Sequence, residues 1–368
     1  MRDKVMTKNG NRSSRVFQLA LFALSIGMLV YFCVSDNNLV TLLHSIPTLN
    51  PFWLCGAFGC VVLNWMMDGT VIHMLVAQAY EEKYAFRHAF RVTMVGQYFN
   101  SVTPYAVAGQ PMQLLALTRQ GVSAGIALST LVRKFLIYQT TITCYSLFVI
   151  LVKYPFFRSK IQGFMALAFI GFLCQAFTVV VLALFTYCPR LTTRIISGIT
   201  ALLTKIRLTK NPEELERKIR GQLEFYLANN RATTGNRLMN ARLYGCTVLQ
   251  LTAVFAVPFF IYKAFHSPGA PLFDMIAAQS FVTMISSYTP LPGAAGAAEG
   301  SFLVIFQIFF SPGIIKQAML LWRLIAYYSC IVVGAFFAGI GGGGEKLKSR
   351  FGGSSARKQA ENGGTHHE

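Results

Sequence analysis

Charge is scarce in this sequence, and acid scarcer still: 13% of the 368 residues are charged, with 14 Asp and Glu against 33 Lys and Arg. So little charge cannot coat a soluble fold of this length. With 54% hydrophobic residues, a mean hydropathy of +0.48 and apolar runs long enough to cross a bilayer, the chain reads as an all-α polytopic membrane protein. No C-x-x-C spacing occurs among the eight cysteines, which lie in or at the ends of apolar segments. They read as small packing residues, so neither a disulfide framework nor a zinc site is indicated. The sequence has no G-x-x-x-x-G-K-[ST] loop and no H-E-x-x-H, and no nucleophile elbow is expected. ATP hydrolysis and metalloprotease chemistry are unsupported, and no cofactor, metal or catalytic residue is expected.

The net charge of +19 raises the question of nucleic acid, but the basic residues cluster between apolar segments. That is the pattern of positive-inside topology, with anionic headgroups as their partners at the cytoplasmic face. The first 15 residues carry five basic residues and form a cytoplasmic N-terminus ahead of the apolar run Val16–Val34. At 19 residues that run is too long for a signal-peptide core, so it is read as a retained first span. Further spans are expected at about 52–79, 133–152, 161–187, 243–264 and 316–340, about six in all. A short segment at 121–132 would precede the third, and the outer loop KYPFFRSK would follow it. The loop 188–242 is cytoplasmic, with 11 Lys and Arg against four Glu after Pro189 and a helix start near Pro212. The tail 341–368 is basic, glycine-rich and expected to be disordered. The membrane region is thus expected to cover 16–340 in the plasma membrane, with both termini cytoplasmic.

Two apolar stretches are broken. Val92 to Thr118 contains Thr103-Pro104 and Gly109-Gln110-Pro111 and has basic residues at both ends, which suits a re-entrant hairpin entering and leaving from the cytoplasm. FVTMISSYTPLPGAAGAAEGSF, residues 281–302, belongs to a second broken pair, 272–310, entering from outside. A break inside lipid survives only where protein or a water-filled cavity covers it. QYFNSVTPYAVAGQP and TMISSYTPLPGAAGA can be overlaid with Thr103-Pro104 on Thr289-Pro290. Opposite sidedness then makes an inverted repeat whose broken helices meet at a transport site. Their half-helix N-termini favour an anionic ligand such as a phosphate.

Ionisable groups inside spans are costly and are functional candidates by default. They are Asp68, Arg133, Lys134, Glu299 and Arg323. The simplest pairing sets Glu299 or Asp68 against Arg323 or Arg133, with Arg323 the first partner for Glu299. A structural ion pair is the alternative, and Arg133 and Lys134 also suit an interfacial, snorkelling position.

At FNSVTPYAVAGQPMQLLAL (99–117) and TPLPGAAGAAEGSF (289–302), the sequence resembles the membrane domain of lysylphosphatidylglycerol synthases and their stand-alone, flippase-like relatives. The resemblance implies a lipid-handling fold with two re-entrant hairpins, moving aminoacylated, other anionic or isoprenoid lipids between leaflets. It sets Glu299 at the family's acid after the second Pro-Gly motif and Asp68 at a second-span aspartate. Many members carry an arginine where this chain has Gln110, Pro111, Met112 and Gln113, which leaves Gln110 and Gln113 as hydrogen-bonding substitutes. The expected lipid site therefore comprises Asp68, Asn100, Thr103, Pro104, Gly109, Gln110, Gln113, Arg133, Thr289, Pro290, Gly293, Gly296, Glu299 and Arg323. The expected function is a lipid flippase or lipid-binding transporter. The alternative is a phosphatidylglycerol lysyltransferase, with resistance to cationic peptides, or its membrane subunit. Lysine transfer by this chain alone is not expected, since no room remains for a soluble transferring domain. Only the lysyltransferase reading would bring in tRNA, and self-association into a homo-oligomer is left open.

Overall fold

The computed structural model describes residues 46–79, 84–161, 163–187 and 236–339. The N-terminal segment, the span expected at 16–34, the loop 188–242 as far as residue 235 with its Pro212 helix, and the tail 341–368 lie outside the described residues.

Every regular element among the described residues is helical. After a short turn at Ile46–Thr48 come α1 (Pro51–Ala79), α2 (Phe86–Val102), α3 (Gly109–Arg119), α4 (Ala124–Arg158) and α5 (Phe164–Tyr187). The chain resumes with α6 (Arg237–Ala264), α7 (Leu272–Ser286), α8 (Ala297–Phe306), α9 (Ile315–Arg323), a π-helical turn Leu324–Tyr328, and α10 (Ser329–Gly339). Four stretches, α1, α4, α6 and Ile315–Gly339, are long and apolar enough to cross a membrane. Shorter apolar helices accompany them, and α5 turns Phe169, Ile170, Leu173, Phe177 and Val180 outward. A contiguous apolar face of that kind suits lipid and would aggregate in water. The chain is an all-α membrane protein.

Local chemistry sets the helix ends. Asn50 Oδ1 accepts the Phe52 N–H at 3.0 Å, and Pro51 starts α1 where no intrahelical N–H is needed. Ser123 caps α4 by accepting the Ile126 N–H at 3.4 Å. This serine lies in a G-x-S-x-G string, Gly121 to Gly125, but with the turn it caps preceding a helix and no strand before it, the string is a helix start.

The break expected between 121–132 and a span beginning at Arg133 is absent. One helix of 35 residues runs from Ala124 to Arg158, which carries Arg133 and Lys134 inside the helix. The same helix absorbs most of the expected outer loop, KYPFFRSK. Its cations lie over aromatic rings there, Lys160 over Phe156 at 4.9 Å and Arg158 over Tyr154 at 5.9 Å.

The chain divides into two compact units. One holds the described residues up to Val61, Met94–Gly109 and Val254–Gly339; the other holds Val62–Thr93 and Gln110–Ala253. In the second unit α2 and α3 run antiparallel. Gln113 Nε2 donates to the Val92 carbonyl at 3.4 Å, Gln120 Nε2 donates to the His88 carbonyl at 3.2 Å, and the Tyr84 hydroxyl reaches Gln120 Oε1 at 2.6 Å. Ile72, Val76, Ala89, Val92, Leu117 and Val122 pack beneath them. The two ends of the first broken pair thus return to one place, as a re-entrant hairpin requires. In the first unit α7 and α8 form the second hairpin, and Phe302 stacks on both Phe306 and Trp322.

The element order repeats: a long helix, a broken hairpin, then a long helix, first in α1 to α4 and again from α6 to Gly339. The register differs from the one suggested by Thr-Pro. Backbone angles match Thr103 (φ −114°, ψ 143°) to Leu291 (φ −102°, ψ 148°), Pro104 to Pro292, and Tyr105 to Gly293. Pro290 lies in a turn-and-bend segment, 287–291, that the first hairpin lacks, because α7 already stops at Ser286.

Candidate functional site

Each hairpin is broken by the same device. A proline removes one helical hydrogen bond, a loss that α4 and α6 absorb at Pro155 and Pro258, but at the tips it also comes with extended backbone at the residue before it, Thr103 and Leu291. Next come two residues with positive φ, Tyr105 (54°) and Ala106 (53°) in one tip and Gly293 (61°) and Ala294 (54°) in the other. Three of these four are not glycine, and left-handed backbone costs such residues about 1–2 kcal/mol each. That cost persists only where the surroundings impose the conformation, and such spots cluster at functional sites. The tips pack against one another within the first unit.

α9 and the π-helical turn hold the tips. Arg323, 6% exposed, donates from Nη1 to the Gly293 carbonyl at 2.9 Å, and its Nη2 lies 2.7 Å from Glu299 Oε1. The second contact is a close approach of charges and lacks an aligned hydrogen bond. Glu299 completes its set by accepting the Gly296 N–H at 2.7 Å through Oε2, which closes the first turn of α8. Arg323 Nε is buried and has no acceptor among the described residues.

The Tyr327 ring lies over Gly293, in the space a Cβ there would need, and 5.3 Å from the Arg323 guanidinium. Its hydroxyl donates to the Ser101 carbonyl of the other hairpin at 2.7 Å. Arg323 and Tyr327 therefore grip one tip from above while Tyr327 ties down the second. Replacing Tyr327 with Phe keeps the packing and removes that tie. The expected cost is about 0.5–1.5 kcal/mol, with faster amide exchange across residues 98–108. Exchange there equal to wild type would show that the tie contributes nothing.

Asn100 closes the first tip on itself. Its carboxamide lies against Gly109 where a Cβ would stand, and its Oδ1 is buried without a donor. Gly109→Ala is expected to destabilise the protein by about 1–3 kcal/mol through overpacking, and Asn100→Ala in the same chain should recover most of the loss. Thermal unfolding of both variants measures it. Thr103 accepts from Ala108 N–H at 3.3 Å and donates to the Phe99 carbonyl at 2.7 Å, so it caps the break. Pro104, Gln110 and Pro290 are exposed, Thr289 is half-buried, and Gly296 is the positive-φ residue (84°) that starts α8. Gln113 already serves the hairpin through Val92.

Asp68 and Arg133 belong to the second unit. Asp68 does not pair with Arg133; its Oδ2 lies 2.7 Å from Lys134 Nζ, and its Oδ1 accepts from Gln250 Nε2 at 3.4 Å. Both charged side chains are largely buried, 5% and 15% exposed. Arg133, one residue away and so about 100° around the helix, donates instead to Asn240 Oδ1 at 2.7 Å and to Gln78 Oε1 at 3.4 Å. Residue reading missed Tyr327, Asn240 and Gln250. Tyr327 could have been found, since it lies four residues beyond Arg323 on the same helix face. No group of three or more metal-ligating side chains occurs among the described residues.

Two broken helical hairpins with a buried ion pair at their junction define a membrane protein of the re-entrant class. Residues 16–334 match the family described as Lysylphosphatidylglycerol synthase TM region, and the chain belongs to that family. It is similar to a UPF0104 membrane protein of Archaeoglobus fulgidus, 27% identical over 73% of this chain and 79% of the relative. A second UPF0104 membrane protein, of Methanothermobacter thermautotrophicus, is 24% identical over 67% of this chain and 73% of its own length.

Proposed function

We propose that this chain binds an anionic lipid headgroup at the junction of its hairpins and moves that lipid between leaflets. The observation that carries the reading is the buried Glu299–Arg323 contact at the N-terminus of the half-helix α8. Intramembrane charges are costly and are retained for ligand or ion pathways, and broken-helix N-termini are where transporters recognise anions. The family description names a phosphatidylglycerol derivative, which supports a lipid with a phosphodiester headgroup as the cargo. The plasma membrane, with the basic termini in the cytoplasm, is the setting this reading requires.

Leaflet exchange in reconstituted vesicles tests it. Purified protein should speed the exchange of fluorescent phosphatidylglycerol over that of phosphatidylcholine, and Glu299→Gln should change the rate several-fold. Equal rates with and without protein would remove the transport reading. Lysyl-lipid formation by the purified chain, given charged tRNA and phosphatidylglycerol, would replace transport with synthesis.

A further inference from the structure

We propose that Glu299 is a built-in competitor of the anionic headgroup, so that the site is self-occupied at rest and a phosphate oxyanion enters only by displacing the Glu299 carboxylate. This inference rests on the lipid-binding reading above and adds how that site is governed.

The two elements of the first unit best suited to an oxyanion are the α8 N-terminus and the buried guanidinium of Arg323. A helix start presents unpaired N–H groups and a partial positive charge, and a guanidinium offers a planar fork that matches a phosphate. Glu299 takes both with its two oxygens, Oε2 on the Gly296 N–H and Oε1 beside Arg323 Nη2, 2.7 Å from each. A carboxylate held this way carries the charge, and part of the shape, of a bound phosphate edge.

The occupation is incomplete, which is what makes exchange feasible. Arg323 is 6% exposed, yet its Nε has no acceptor among the described residues, and Nη2 meets Glu299 without hydrogen-bond alignment. A tetrahedral phosphate could accept from Nε and Nη2 together. The Glu299 side chain is 12% exposed and sits in the first turn of α8, beside Gly296 and Gly300, which carry no side chains to hold it. Tyr105 and Leu291, on the two tips that pack against one another, are 61% and 51% exposed, so the tips present open apolar surface. That combination suits a headgroup with an attached acyl or isoprenyl chain.

The other groups near Glu299 do not replace it. Tyr327 faces Arg323 from the π-helical turn, and Cys330 follows on α10. On α7, packed against α8, the charged residue is Asp274 in the first turn; Lys316 begins α9 at the far end from Arg323. Glu299 is the carboxylate that faces Arg323 at the tip.

Displacement makes a prediction opposite to that of a simple ligand contact. If Glu299 only helped to hold cargo, removing its charge would weaken binding. As a competitor, its removal frees Arg323 and the Gly296 N–H, and binding tightens. The full chain in detergent is titrated with short-chain phosphatidylglycerol, short-chain phosphatidylcholine and inorganic phosphate. Glu299→Gln should bind phosphatidylglycerol at least about tenfold tighter than wild type, a shift of about 1.4 kcal/mol. Glu299→Asp keeps the charge but is one methylene too short to span both partners, so it should also bind more tightly, by a smaller factor. Arg323→Gln should bind no anion. Tight binding of phosphatidylglycerol with weak binding of inorganic phosphate assigns the oxyanion to a lipid, and the reverse assigns it to a free phosphate.

Unchanged or weaker binding by both Glu299 variants, with Arg323→Gln still inactive, overturns the competitor while the lipid site stands. Wild-type binding that survives Arg323→Gln overturns the site itself. Should Glu299→Gln fail to elute as a folded species, the Glu299→Asp comparison decides alone, because it preserves the buried charge.

Discussion

Arg323→Gln is expected to destabilise the protein by about 3–5 kcal/mol, the usual cost of removing one partner from a buried charge pair. The substitution leaves the Glu299 carboxylate, 12% exposed, facing no cation, and it deprives the Gly293 carbonyl of its donor. Gly293 lies in left-handed backbone at φ 61°, held by the Arg323 hydrogen bond to its carbonyl and by the Tyr327 ring packed in the space its Cβ would need. Losing one of these supports should let the second tip relax toward ordinary backbone. Arg323→Lys is the sharper control. A lysine restores the charge but has no planar fork, so it cannot serve Glu299 and the Gly293 carbonyl in the same geometry. Thermal unfolding in detergent should therefore rank wild type above Arg323→Lys and Arg323→Lys above Arg323→Gln. A melting temperature for Arg323→Gln equal to wild type would mean that the pair is a solvated contact.

A comparable loss, again about 3–5 kcal/mol, is expected from Asp68→Asn, for the same reason in the other unit. The Lys134 ammonium is 15% exposed and would face a neutral amide. Here the double substitution is more informative than either single one. Asp68→Asn with Lys134→Met removes both charges and keeps the volume, and buried pairs replaced in this way are often neutral or stabilising. Stability near wild type in the double variant, with each single variant impaired, measures the coupling directly. Leaflet exchange in the double variant then sorts the roles. Retained exchange makes the pair structural, whereas lost exchange in a stable protein makes Asp68 and Lys134 part of the transport path. A single variant as stable as wild type would show that the two charges do not depend on one another.

Much of the candidate site was legible because cost is legible. An acid or an arginine in an apolar run has to be paired, and Glu299 with Arg323 is the pairing that the sequence suggests first. Proline with glycine in the same kind of run announces a break, and both tips are where Pro104 and the Pro290 to Gly293 stretch indicate. The register between the tips was not legible. Thr103-Pro104 and Thr289-Pro290 look alike as strings, and which proline turns the chain depends on where the preceding helix stops. That in turn depends on what α7 packs against. The partner of Asp68 was hidden for a similar reason. Arg133 and Lys134 are adjacent in sequence but about 100° apart around the helix, so choosing between them requires the rotation of α4 about its own axis.

By itself, then, the sequence determined an all-helical membrane protein, two interrupted hairpins, and the need for its few intramembrane charges to find partners. Hydropathy and backbone chemistry act locally, and they are written into each segment. The tertiary structure decided which groups meet: Lys134 on Asp68, Tyr327 across both hairpins, and Arg323 on Glu299 and the Gly293 carbonyl at once. These contacts depend on helix rotation and on the close packing of residues far apart in the chain, and no local pattern encodes either.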